Sequence, residues 1–120
     1  MSRPADTDLL LHILEACATI QERVAGVKAE ELGRDTMRLD SIVRQIEIIG
    51  EAVGLISEDL KKRHPQVPWL AIRGMRNRIV HAYWAVNARA VWEAGALDVP
   101  KLAEQMRAIL TVTEQEGAKG

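Results

Sequence analysis

Apolar side chains recur near the start of the chain at alternating steps of three and four: Leu10, Ile13, Cys17, Ile20, Val24 and Val27. That spacing lays them along one stripe of an α-helix, and predicts a helix from Thr7 to Val27 capped by Asp6 or Thr7. Lys28 to Arg34 reads as a polar connection containing Gly33. A second stripe, Leu39, Ile42, Ile46, Ile49, Val53 and Ile56, predicts a long helix from Asp35 to Ile56. Gly50 and Gly54 stand one turn apart within it and clear one face of side chains, so another backbone can approach closely there. Arg44, Glu47 and Glu51 interrupt the segment and exclude a membrane-helix reading of that glycine spacing.

Ser57-Glu58-Asp59 reads as a fresh cap with acids in the first turn, opening a short helix that ends near Arg63. His64 to Pro68 is a turn, and Pro68 is placed to open a helix from Trp69 to Ala82. Asn87 can cap a short helix through Ala96. Asp98-Val99-Pro100 then stops it and starts a last helix that buries Leu102, Met106, Ile109 and Leu110. No segment sustains strand alternation and nothing repeats. The expected architecture is all-α, a bundle of four to five main helices with short connections, in a single domain over residues 1–120.

Composition agrees. A chain of 120 residues suits one core, and its three Trp, one Tyr and absence of Phe leave that core to Leu, Ile, Val, Ala and Met. The single cysteine, Cys17, excludes an internal disulfide and a multi-cysteine zinc site, and falls on the apolar stripe as a small buried hydrophobe. The N-terminal residues have no apolar leader core, and no apolar run is long enough to span a membrane, so a cytoplasmic location is expected.

Charge changes the picture. Between residues 60 and 92 stand Lys61, Lys62, Arg63, Arg73, Arg76, Arg78 and Arg89 without one Asp or Glu, although the chain as a whole has 16 basic and 17 acidic residues. A nearly neutral protein is therefore locally cationic around Arg76-Asn77-Arg78-Ile79-Val80-His81-Ala82-Tyr83. Fixed Arg donors hold phosphate oxygens, and a histidine moves protons near neutral pH.

On a regular helix, Arg76 falls within the apolar arc of Trp69, Ile72, Met75, Ile79 and Val80, while His81 lies about 140° away. Either the helix is irregular near Val80, or a second copy supplies the complementary residues across a two-fold axis; the second is favoured here. A guanidinium in an apolar arc calls for a partner, and Glu47, Glu51 and Arg44 on the second long helix are the candidates to meet it. There is no HxxxH, HExxH, acidic metal cluster or Gly-rich phosphate loop, so metal and nucleotide-hydrolase chemistry lack their parts. Arg and His suffice for metal-free RNA cleavage, because the substrate's own 2′-hydroxyl is the nucleophile.

Arg76-x4-His81-x-Tyr83 resembles the R-x4-H-x-Y motif of the HepT-like proteins, the toxin half of HEPN/MNT toxin–antitoxin pairs. Glu47-Ile48-Ile49-Gly50-Glu51-Ala52 resembles the second-helix pattern of that family. Pro68-Trp69, Gly74-Met75-Arg76-Asn77-Arg78, Val80-His81, Tyr83, Val91-Trp92-Glu93 and Pro100-x-Leu102 follow in the family's order, so the likeness covers nearly the whole chain. The resemblance implies an all-α HEPN fold, a homodimer with the motif at its cleft, and a metal-independent ribonuclease that needs no cofactor. It makes Arg76 and His81 catalytic, with Asn77 as the polar companion next to the Arg; Arg73 and Arg78 lie close by in sequence as supporting cations. Tyr83 matches the tyrosine to which the partner nucleotidyltransferase, the MNT antitoxin, adds AMP from ATP. Ala82 departs from the family, since many relatives carry an acidic residue there. The alternative is a non-catalytic dimeric module whose cationic cleft binds RNA, a nucleotide or the nucleotidyltransferase.

Overall fold

The structure, a computed structural model, describes the backbone of residues 4–81 and 85–119, with side chains except those of 81, 85 and 117–119. Three long helices build the frame: α1 (Asp6–Val24), α3 (Thr36–Leu55) and α8 (Val99–Lys119). Helix α1 packs against both others. Short helices fill in between: α2 (Ala29–Arg34), α4 (Glu58–Arg63), α5 (Trp69–Arg73), α6 (Met75–Ile79) and α7 (Ala88–Glu93). A two-residue antiparallel ladder, β1 (Val80–His81) with β2 (Ala85–Val86), joins α6 to α7 and pairs Val80 with Val86. The fold is all-α.

The predicted stripes are the core. Leu10, Ile13, Cys17 and Ile20 of α1 are fully enclosed, and so are Ile42, Ile46, Ile49 and Val53 of α3. Helix α1 ends where Gly26 takes a φ of 72°, the left-handed conformation that closes a helix and that glycine adopts without strain. Asp35 caps α3 by accepting from the Arg38 N–H at 3.1 Å. Ser57 caps α4 by accepting from Leu60 at 3.1 Å, and Asn87 caps α7 by accepting from Ala90 at 3.0 Å.

Several boundaries differ from the pattern-based reading. Asp6 and Thr7 do not cap α1; Ala5 stands at the cap, and the Asp6 carboxylate accepts from the Ser57 N–H at 2.9 Å and hydroxyl at 2.6 Å. The connection after α1 holds a helix, α2, which buries Leu32 and whose Glu31 reaches back to the Lys28 N–H at 3.2 Å. Asp98-Val99-Pro100 does not interrupt the chain. A π-helical turn, Ala94–Asp98, carries α7 directly into α8. Pro100 has no N–H to send back to Ala96, and the wider turn absorbs the lost bond. Gly95 makes that turn possible, since a Cβ there would lie 2.9 Å from a Val24 methyl and 3.1 Å from an Ile20 methyl of α1.

Candidate active site

The cationic segment does not form one helix to Ala82. Pro68 opens α5, and the Trp69 indole N–H donates to the His64 carbonyl at 3.0 Å, fixing its entry. At Gly74 the backbone leaves helical geometry (φ −87°, ψ 3°) and its N–H closes on the Leu70 carbonyl at 3.0 Å. Glycine is the weakest helix former after proline, which is why the break falls there. Helix α6 restarts at Met75 and ends at Ile79. Val80 takes extended geometry (φ −114°, ψ 113°), and the Ile79 carbonyl accepts from the Asn87 N–H at 2.8 Å. Two β-branched residues in succession favour that exit into strand.

The break changes what Arg76 faces. Ile72, Met75 and Ile79 are buried, but Arg76 is exposed and does not sit among them. The apolar arc assumed one continuous helix, and α5 and α6 are two. The exit at Val80 likewise removes the helical angle that separated Arg76 from His81, the irregularity that was the less favoured of the two resolutions. His81 stands on β1 opposite Ala85. Its side chain and all of Ala82 and Tyr83 lie outside the described residues.

Arg76 opens onto a cavity of about 530 Å³ between α3 and α5–α6, lined by Glu47, Gly50, Glu51, Gly54, Leu55, Arg73 and Arg76. The Glu47 carboxylate lies 3.8 Å from the Arg76 Nε, with Arg76 49% and Glu47 34% exposed. That distance is an ion pair without a hydrogen bond, and at this exposure it leaves the guanidinium available to a stronger anion. Glu51 lines the same cavity; Arg44 does not. The glycine face of α3 performs as its spacing suggested. The backbone carbonyl of Arg73 lies 3.1 Å from where a Gly50 Cβ would be, and the Arg73 guanidinium covers Gly54.

The basic cluster divides. Arg73 and Arg76 share this cavity, whereas Arg78 lines another of about 250 Å³ with Pro68, Ile72, Met75, Asp98, Lys101 and Leu102. Two residues along a helix turn about 200°, so neighbouring cations in sequence face opposite sides. Asn77 is exposed, and its N–H is spent on the Gly74 carbonyl at 3.0 Å. Leu55, off the predicted stripe and 47% exposed, was not singled out from the sequence; being apolar and off the core stripe was the available signal. Among the described residues, no three or more His, Cys, Asp or Glu side chains are grouped to hold a metal ion, and no helix is long and apolar enough to cross a membrane.

A family model described as Ribonuclease HepT-like matches residues 13–109. A candidate RNase of Caldanaerobacter subterraneus subsp. tengcongensis is 40% identical over 101 residues, spanning 84% of this chain and 90% of that protein. A protein named probable ribonuclease HepT, from Thermococcus cleftensis, is 36% identical over 95 residues, or 79% of this chain and 86% of the relative. A candidate RNase of Methanocaldococcus jannaschii is 30% identical over 101 residues, 84% of each chain. No solved structure matches at a significant level.

Proposed function

Because the chain belongs to the HepT-like ribonuclease family, we propose that it is the toxin of an HEPN/MNT toxin–antitoxin pair, an endoribonuclease that cuts RNA without a metal ion. The observation that carries this reading is Arg76, half exposed at an open cavity on α6, with His81 in the short strand that follows directly. In the reaction the 2′-hydroxyl of the substrate attacks the adjacent phosphorus. A new P–O bond forms, the bond to the 5′-oxygen breaks, and the products end in a 2′,3′-cyclic phosphate and a 5′-hydroxyl. Arg76 stabilises the charge gathering on the phosphate oxygens, and His81 takes the proton from the 2′-hydroxyl or returns one to the 5′-oxygen. A homodimer supplies both proton roles at once, because a second copy brings a second His81 to the cleft.

Control falls to Tyr83 in this reading. A partner nucleotidyltransferase joins the Tyr83 oxygen to the α-phosphorus of ATP and releases pyrophosphate. The added phosphate is anionic and bulky, and repels RNA from a cationic cleft.

Purified protein in EDTA is expected to cut RNA, and Arg76→Ala and His81→Ala to lose that activity while keeping wild-type circular dichroism. Cleavage that requires added metal, or persists in His81→Ala, overturns the mechanism. Intact mass after co-expression with a nucleotidyltransferase is expected to rise by AMP, and not in Tyr83→Phe. The Glu47–Arg76 pair favours a second reading, a binding module whose cation is neutralised until RNA or a protein partner displaces the acid. That module binds RNA and leaves it intact at any concentration.

A further inference from the structure

Arg73 differs from Arg76 in one respect. Among the described residues no carboxylate lies within ion-pair distance of it and nothing accepts a hydrogen bond from its guanidinium, whereas Arg76 already faces Glu47 at 3.8 Å. Its placement is nevertheless fixed. The guanidinium rests on the bare face of α3, with Nε 3.3 Å and Cζ 3.4 Å from the point a Cβ on Gly54 would occupy. One turn earlier the Arg73 carbonyl rests over Gly50 in the same way. The two glycines thus seat the end of α5 on α3 and lay a cation flat along the cavity that Arg76 also lines. The cavity also holds Glu47 and Glu51, so its lining is formally neutral. Glu47 is taken up by Arg76, and with no carboxylate among the described residues at ion-pair distance from Arg73, that guanidinium is the cation left to receive a negative group beside the one at Arg76.

We propose that Arg73 is a second phosphate-binding position of this cavity, holding a phosphodiester that flanks the one at Arg76, and that Gly54 is the residue that positions it. The proposal rests on the ribonuclease reading and names a contact within it. RNA is held along its backbone by successive cations, each of which adds to affinity and to salt dependence without reading sequence. Gly54 matters because a Cβ there would stand 3.3 Å from the Arg73 Nε and 3.4 Å from its Cζ, tighter than ordinary contact, so the guanidinium has to give way. The obstructed atoms are the tip of a flexible side chain, so Gly54→Ala shifts the Arg73 guanidinium slightly without disturbing the backbone.

The test is binding of a fully 2′-O-methylated RNA, which lacks the nucleophile and stays intact, measured across a salt series. Arg73→Ala and Arg73→Gln are each expected to weaken binding about equally for all sequences and to lower the slope of log affinity against log salt by about 0.7. Gly54→Ala is expected to weaken binding modestly when Arg73 is present and to change nothing further in Arg73→Ala. Thermal melts confirm folding, and Arg73→Gln keeps the side-chain stem where loss of packing would confuse Arg73→Ala. A wild-type salt slope in both Arg73 variants overturns the proposal, as does an equal effect of Gly54→Ala with and without Arg73. Cleavage by Arg76→Ala is measured alongside: if that activity is lost while the Arg73 slopes stay at wild type, the phosphate position alone is wrong. Wild-type protein that neither binds nor cuts RNA removes the ribonuclease reading and this inference together.

Discussion

The backbone carbonyl of Arg73 sits 3.1 Å from where a Cβ on Gly50 would stand, closer than ordinary van der Waals contact. The end of α5 therefore touches the α3 backbone, and the cavity floor depends on that contact. At Gly50 the obstructing atom belongs to backbone, so Gly50→Ala has to push α5 away. Overpacking of this kind costs about 1–3 kcal/mol. The better helix propensity of alanine returns about 0.5–1 kcal/mol. Gly54→Ala meets only a side-chain tip and keeps the propensity gain. Urea denaturation is expected to show Gly50→Ala less stable than wild type by about 1 kcal/mol and Gly54→Ala equal or slightly more stable. A Gly50→Ala protein as stable as Gly54→Ala contradicts this packing.

Asp6 and Ser57 are 51 residues apart and tie the first turn of α1 to the start of α4. The Ser57 hydroxyl donates to Asp6 at 2.6 Å while accepting from Leu60 at 3.1 Å, so one oxygen serves both a tertiary bond and a cap. Ser57→Ala removes both and is expected to cost about 1–2 kcal/mol. Asp6→Ala loses the same tertiary bond, so the double variant is expected to fall short of the summed single losses by at least about 0.5 kcal/mol. Chemical denaturation of all four proteins checks the cycle; strict additivity rules the link out.

Much of this molecule was legible in its residue pattern, and the exceptions have physical causes. The stripes of α1 and α3 were readable because each helix buries one continuous face. Ser57 and Asn87 were readable because a cap is a local hydrogen bond. Helix α2 was not: six residues that bury only Leu32 carry no period to detect. The π turn and the Val80–Val86 ladder were not, because each answers to a distant contact, Gly95 against α1 and Asn87 against Ile79. At the site, sequence spacing brought the glycine face of α3 under another backbone and offered Glu47, Glu51 and Arg44 as candidates to meet Arg76, of which Glu47 lies at ion-pair distance and Arg44 lies off the cavity. It erred on the burial of Arg76, because the break at Gly74 reorients α6 relative to α5.

Cys17 is fully enclosed in the core, and burial pushes its thiol up to about 12, against a weaker opposing pull from the Arg107 charge. An ionised thiolate is costly in that setting, so the native state keeps its proton where the unfolded chain, titrating near about 8.5, gives its proton up. Above that lower value the unfolded state binds fewer protons, and stability falls with rising pH. The loss runs from the ordinary thiol range to about 12, at up to about 1.4 kcal/mol for each pH unit. Below pH 8 the group contributes no slope. Cys17→Ala is expected to be less stable at neutral pH but to lose less on going to pH 10. The native protein is also expected to resist iodoacetamide at pH 8. Rapid alkylation of folded protein, or identical alkaline slopes for the two proteins, refutes the assignment.

In the proposed mechanism Glu47 and a substrate phosphate compete for one guanidinium. The carboxylate at 3.8 Å from the Arg76 Nε is only about one-third exposed, yet it makes no hydrogen bond to the Arg, so a phosphate can displace it. Glu47→Gln keeps the side chain's shape and deletes the charge. A half-exposed ion pair of this kind is worth up to about 1 kcal/mol, so the variant is expected to bind uncleavable RNA up to about five-fold more tightly at low salt. The gain is expected to shrink as ionic strength rises, since screening weakens the competitor in the wild type too. Thermal stability is expected to be nearly unchanged. The kinetic consequence separates two uses of the acid. If Glu47 only competes, KM falls and kcat holds. If it also orients Arg76 toward the phosphate, kcat falls while binding still tightens. Affinity that drops in Glu47→Gln excludes competition and makes the carboxylate part of the RNA contact.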